Sequence, residues 1–346
     1  MTARRLLALG ALVLALAPTL GPTAAHAAAD GSIEIQLLEA PESRRDDPRA
    51  LAYIVDHLHP GDTIERDFAV TNHTDRRQRV RLYAGPAEIR DGQFIGDEAG
   101  TSNELTSWVS VSRSRVRLAP GETTEQTVRV EVPPDAARGE RYAVLWAAVR
   151  SHGGGDVRLV NRVGIRLYLD VGRGGEPPSD FSVDEIVPGR NASGQPTLTA
   201  QVTNTGERAI DVRGEVRLRR GPGGLSAGPF EVASGATLAP GDRGSVAIAL
   251  DKSLPAGPWR AKFLLRSGRV VHRAAATVTF PTSGTGAAVT PRDADPTDAA
   301  SGTGSPWTDP WVIGTVTVGL GLLLALLLLR RRRRVAAAPP APGGGP

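Results

Sequence analysis

The chain has no cysteine, which excludes disulfides, thiol nucleophiles and cysteine-ligated zinc in one step. Lysine is confined to Lys252 and Lys262, so arginine carries nearly all the positive charge. Aromatic residues make up only 4% of the chain, and leucine-rich helical periodicity is confined to its two ends. Acidic residues are missing from 1–29 and from 311–346. That last absence decides what the charge means. The 346 residues carry 41 basic and 37 acidic side chains, formally +4, with a pI near 9.9. Setting aside Arg4, Arg5 and Arg330 to Arg334, seven in all, leaves 34 basic against 37 acidic residues. The basic balance belongs to the ends, and a nucleic-acid footprint spread over a whole domain is not supported.

Residues 1–29 have the three parts of an export signal: Arg4 and Arg5, an apolar run from Leu6 to Leu16, and the small-residue stretch Ala25-His26-Ala27-Ala28. Residues 311–329 carry no charge and would reach about 28 Å as a helix, close to the ~30 Å hydrocarbon core. Five arginines follow, which would keep the C-terminus inside. The expectation is a single-pass cell-membrane protein with an extracellular ectodomain. It comprises a signal peptide (1–29), two exported domains (30–172 and 173–281), a disordered stalk (282–310), a transmembrane helix (311–329) and a short basic cytoplasmic tail (330–346). No Leu-Pro-x-Thr-Gly type sorting site precedes the apolar segment, so covalent transfer to a wall is not expected.

The exported middle alternates apolar and polar residues in period two, punctuated by turn residues, which reads as half-buried strands. Val128, Val130 and Val132 share one face; so do Val163, Ile165, Leu167, Leu169 and Val171. In a later strand Val212, Val216 and Leu218 oppose Arg213, Glu215, Arg217 and Arg219. A repeat divides the region. Val70-Thr71-Asn72 and then Leu118-Ala119-Pro120-Gly121 in the first half correspond to Val202-Thr203-Asn204 and then Leu238-Ala239-Pro240-Gly241 in the second. The fold expected is all-β: two tandem immunoglobulin-like β-sandwiches, plus the one C-terminal transmembrane α-helix. The first half carries surplus residues at 40–60 and 85–107, and surplus loops on a sandwich commonly carry binding.

Candidate chemistry is sparse. His57 and His59, with Asp56 and Asp62 nearby, have the i, i+2 spacing of one strand face. A metal needs three or four convergent ligands, so a strand entering the His59-Pro60-Gly61-Asp62 turn is the favoured reading. No carboxylate pair stands out among the 37 acids, no cofactor is expected, and a wall hydrolase has no supporting motif. The polar features that do stand out are arginine rows. Arg113, Arg115 and Arg117 alternate along one segment, and Arg76, Arg77, Arg79 and Arg81 cluster at the entrance to another, with Arg79 and Arg81 taken with the first row as candidate ligand contacts. Planar guanidinium groups suit carboxylate and phosphate oxygens, although charge rows are commonly just solvated faces.

The run Asp47-Pro48-Arg49-Ala50, Tyr53-Ile54-Val55-Asp56, Pro60-Gly61, Val70-Thr71-Asn72, Val80 to Ala84, Asn103-Glu104-Leu105 to Trp108, Leu118 to Gly121 and Gly139 to Tyr142 resembles the N-terminal domain of the WxL-interacting cell-surface protein family, in its actinobacterial form. The resemblance implies a Gram-positive, membrane-anchored, non-enzymatic surface protein. Its tandem sandwiches would bind peptidoglycan-type wall polymer or another surface protein. The alternative is an accessory ectodomain subunit of a membrane transport or assembly complex, holding an extracellular partner.

Overall fold

A computed structural model describes residues 32–97, 100–152, 158–233 and 235–294. It is all-β, as the alternation implied, and its described residues divide into two compact units, 32–88 with 96–176 and 89–95 with 177–294.

The first sandwich is built from strands β1 (Ile33–Leu37), β2 (Ile54–Leu58), β3 (Thr63–Asn72), β4 (Gln78–Arg90), β5 (Gln93–Gly96), β6 (Val109–Val111), β7 (Arg115–Leu118), β8 (Thr123–Glu131), β9 (Gly139–His152) and β10 (Arg158–Val171). They form two layers. One sheet runs β1-β3-β8-β6; the other runs β2-β10-β9-β4-β5, with β7 also paired to β4, on the edge that β5 occupies further along. Phe68, Val70, Val128 and Val130 of the first sheet bury against Leu82, Leu145, Leu167 and Leu169 of the second. A fully buried side chain of this size contributes about 1.5–3 kcal/mol, so the alternation itself holds the layers together. Two five-residue helices, α1 (Pro48–Ala52) and α2 (Glu104–Trp108), lie in the surplus stretches.

The second unit contains β11 (Phe181–Arg190), β12 (Pro196–Asn204), β13 (Ile210–Arg219), β14 (Ala227–Glu231), β15 (Ala236–Leu238), β16 (Arg243–Ala249), β17 (Gly257–Ser267), β18 (Val270–Phe280) and β19 (Arg292–Asp293). Its sheets run β11-β12-β16 and β14-β13-β17-β18-β19, with β15 on β13. Trp259, Phe263, Phe280, Leu198 and Ile248 fill the space between them.

The sequence repeat has a physical cause. Asn72 is fully buried, and its amide donates to the backbone oxygens of Arg76, Leu118 and Ala119 at 2.9, 3.1 and 3.0 Å. Asn204 does the same work, donating to Arg208 and Leu238 at 2.8 and 3.0 Å. Each asparagine also ties its strand to the turn that follows Leu118 or Leu238: the N–H groups of Gly121 and Gly241 donate to the carbonyls of Asn72 and Asn204. Gly121 and Gly241 hold φ of 73° and 80°, which glycine reaches without strain after a proline with fixed φ.

Two expectations differ from the structure. Residues 282–294, assigned by composition to a disordered stalk, lie along the second sandwich. Ile186 and Val289 exchange backbone hydrogen bonds at 2.8 and 2.9 Å, Arg190 N–H donates to Gly284 O at 2.8 Å, and β19 pairs with β18. An extended segment adds to a sheet edge through its backbone and needs no apolar side chains to do so. The single-pass membrane protein is the second correction. Among the described residues no helix is long and apolar enough to cross a membrane, since five residues at ~1.5 Å each fall far short of ~30 Å. The expected signal peptide, transmembrane segment and tail lie outside the described residues.

Candidate functional site

On β4, β9 and β10 every second residue points away from the core, and register decides which of these meet. Tyr83 on β4 lies opposite Trp146 on β9, and Trp146 lies opposite Gly164 on β10. The indole has room because its neighbours lack side chains: a Cβ on Gly85, Gly96 or Gly164 would come within 2.8, 2.6 or 2.8 Å of it. Arg162 stacks over the Trp146 ring at 4.5 Å, and Arg81 over the Tyr83 ring at 4.8 Å. The Arg162 guanidinium edge donates to Asp97 O at 2.6 Å and Gly96 O at 3.4 Å, whereas the stacking of Arg81 holds its face and leaves its edge open to an anion. Trp146 Nε1 and Tyr83 Oη are buried without a hydrogen-bond partner among the described residues.

Beside the aromatic pair, β7 brings two arginines opposite two of β4. Arg81 faces Arg115, and Arg79 faces Arg117. The Leu82 N–H donates to Ser114 O at 2.9 Å, which makes that position a hydrogen-bonded one. By alternation the two arginine positions are non-hydrogen-bonded, where Cα atoms stand ~4.5 Å apart and side chains are closest. All four arginines are exposed, and none makes an ion pair among the described residues. Like charges directly opposite destabilise a sheet. The second sandwich shows that the fold does not require them: at the same distance from its repeat turn, Asp211 faces Thr237, whose hydroxyl donates to Asp211 Oδ1 at 2.7 Å.

The structure therefore gathers Arg79, Arg81, Arg115 and Arg117 and separates Arg113. That residue precedes β7, between bends at Ser112 and Ser114, and lines a different, open cleft with Asp67, Ser112 and Thr124 to Thr127. Tyr83, Trp146 and Arg162 had no sequence signal of their own. The glycines that make room for the indole become meaningful only once the register is known.

The far end of the same sheet face is packed rather than open. Tyr168 is fully buried, with Tyr53 and Tyr142 each 5.9 Å away and Arg49 stacked over it at 4.6 Å. All four tyrosines of the chain thus lie along this one region. Burial, reinforced by the charge and hydrogen bond of Glu140, holds the Tyr142 phenol far above its ordinary pKa, so it is no acid or base near neutrality. The 40–60 stretch is a structural cap. Arg44 pairs with Glu176 at 2.6 Å, and Asp47 caps α1 by accepting from Arg49 N–H at 2.9 Å. The 85–107 stretch is similarly occupied, with Asn103 capping α2 and Glu104 paired with Arg141 at 2.8 Å.

His57 and His59 do not converge on a shared ligand set. His57 Nδ1 lies 2.6 Å from Asp170 and its Nε2 3.1 Å from Gly174 O, while His59 lies 3.3 Å from Asp62. Asp56 is committed to Arg66 at 2.9 Å. Among the described residues no group of three or more potential ligands could hold a metal.

No family model matches the chain, and no curated protein matches it. Among solved structures it is similar to the YadV chaperone (9% identity, 71% of this chain and 99% of that one, TM-score 0.36). It is also similar to the Escherichia coli chaperone DraB (14%, 70% and 95%, TM-score 0.32) and to a Salmonella enterica structure of SafA pilin with the SafB chaperone (10%, 71% and 96%, TM-score 0.36). The expected resemblance to the WxL-interacting family is corrected accordingly. No model of any family matches, and the titles of the similar structures named here give chaperones. The Gram-positive, membrane-anchored wall-binding role that rested on that resemblance is corrected with it.

Proposed function

We propose that this chain is a non-enzymatic assembly factor that holds a partner protein on the outer face of its first sandwich. The reading rests on one observation: Arg79 opposite Arg117 and Arg81 opposite Arg115, exposed and without ion pairs among the described residues, beside Trp146 and Tyr83. Arginine, tryptophan and tyrosine are the residue types that carry most binding energy at protein interfaces. An acidic surface on the partner would relieve the repulsion within the quartet, so the free protein's cost becomes a gain on binding. The class agrees with the titles of the similar structures, which name chaperones and, in one case, a chaperone with its pilin, but it is the arginine face that supports it in this chain.

The test is co-purification of the full chain from its own cells. The wild-type chain is expected to retain a stoichiometric protein partner that the Arg79→Ser, Arg81→Ser, Arg115→Ser, Arg117→Ser variant releases. Equal retention by both would refute the assignment of the face.

A further inference from the structure

We infer that the arginine face takes an extended acidic segment of its partner, which adds as a strand along the open edge of β7. The inference rests on the proposed partner-binding role and specifies its mode.

Three observations lead to it. First, β7 pairs with β4 on one side and with no other strand among the described residues. Because Leu82 and Ser114 occupy a hydrogen-bonded position, the backbone groups of Val116 turn towards β4, and those of Arg115 and Arg117 turn away from it. Among the described residues no backbone hydrogen bond reaches residues 115 or 117 from outside the named strand pairs. The edge therefore offers N–H and C=O groups at the same two residues whose side chains belong to the quartet.

Second, the charge on this edge is selective. Positive side chains on an edge strand block pairing with another copy of the same strand, which is how exposed edges are kept from aggregating. A strand carrying carboxylates reverses the sign of that interaction. It would place alternate acidic side chains beside Arg115 and Arg117, within reach of Arg81 and Arg79 in the next row. Charge complementarity thus picks an acidic polypeptide, and the unpaired backbone picks an extended one, as in recognition by strand addition.

Third, the repeat supplies an internal comparison. The equivalent strand β15 is buried at all three residues, and Thr237 on it is satisfied by Asp211. The first unit has kept the same strand in the same pairing, with Val116 and Leu118 still buried, but has placed exposed arginines at 115 and 117.

The experiment titrates the full chain with a short synthetic peptide of alternating glutamate and valine and reads fluorescence anisotropy. In the antiparallel register, the glutamates opposite Arg115 and Arg117 direct their N–H groups at β7, and the valines direct theirs away. N-methylation of the glutamate nitrogens is expected to weaken binding by about tenfold or more, while N-methylation of the valine nitrogens leaves it unchanged. The four-arginine serine variant should lose binding, and the corresponding lysine variant should keep most of it. If both methylated series bind like the parent while the serine variant loses binding, strand addition is wrong and the arginine face stands. Peptide binding that survives the serine variant overturns the face as well. Tighter binding of inorganic polyphosphate than of the peptide would overturn the polypeptide as occupant.

Discussion

Two asparagines and four arginines carry most of what is specific to this chain. Asn72 and Asn204 each satisfy carbonyls that water cannot reach, so replacing either with alanine strands those acceptors. Leaving buried acceptors unpaired costs about 1–3 kcal/mol, and Asn204→Ala is expected to lower the unfolding free energy by an amount in that range, read as a lower denaturant midpoint at unchanged m. An unchanged midpoint would mean that the repeat turn is not held this way. The arginines should behave in the opposite sense. Replacing Arg115 and Arg117 with serine removes two like-charge oppositions and is expected to stabilise the chain by a few tenths of a kcal/mol, with the gain shrinking as salt is added. Thermal unfolding at low and high salt reads both. The asparagine turns were visible in sequence because their residues recur in order. The arginine pairs were not, because Arg79 meets Arg117 only through the register of β4 against β7, and alternation along either segment says nothing about what lies opposite.

At the scale of elements, strands built on alternation were legible. β8, β10 and β13 bury the faces that the spacing of Val128, Val130, Ile165, Leu167, Val216 and Leu218 implied. Segments that join a sheet by backbone alone were not. Residues 282–294 have the composition of a linker, yet they cover β11 and β18. A chain ending at 281 is therefore expected to melt lower than one ending at 294 and to aggregate as its concentration rises, because two strand edges are uncovered. Identical melting of the two truncations would remove the segment from the fold. The start of β11 also carries a pH dependence. The hydrogen bond from His272 Nε2, at 2.7 Å, followed by that from Phe181 N–H, holds Asp180 below its usual pKa. A depressed carboxylate contributes stability above its unfolded value, about pH 3.9, and that contribution is lost as pH falls through the lower folded value. Asp180→Asn should thus lose less stability on acidification below about pH 4 than the wild type does. An equal loss would show that the contact does not bear on folding.

At the scale of the whole molecule, two sandwiches share one plan and differ in what they show to the outside. The second sandwich buries β15, and the Thr237 hydroxyl on it donates to Asp211. The first leaves the arginine face of β7 exposed and, among the described residues, one edge of that strand open, with a glycine-cradled tryptophan beside it. Resemblance in local motifs pointed to wall polymer and a membrane anchor, because turn and capping residues such as Asp47, Asn72 and Asn103 are shared by sandwiches of many functions. What distinguishes this chain is the unsatisfied charge on one face. The most direct measurement places a photo-crosslinking amino acid at position 117 or 81 of the full chain, or at position 271 on β18 of the second sandwich as a control, and irradiates it in its own cells. A single protein adduct from positions 117 and 81, and none from 271, is the expected result. Adducts of equal yield from all three positions, or none from the arginine face, would contradict the assignment of that face as the partner-binding site.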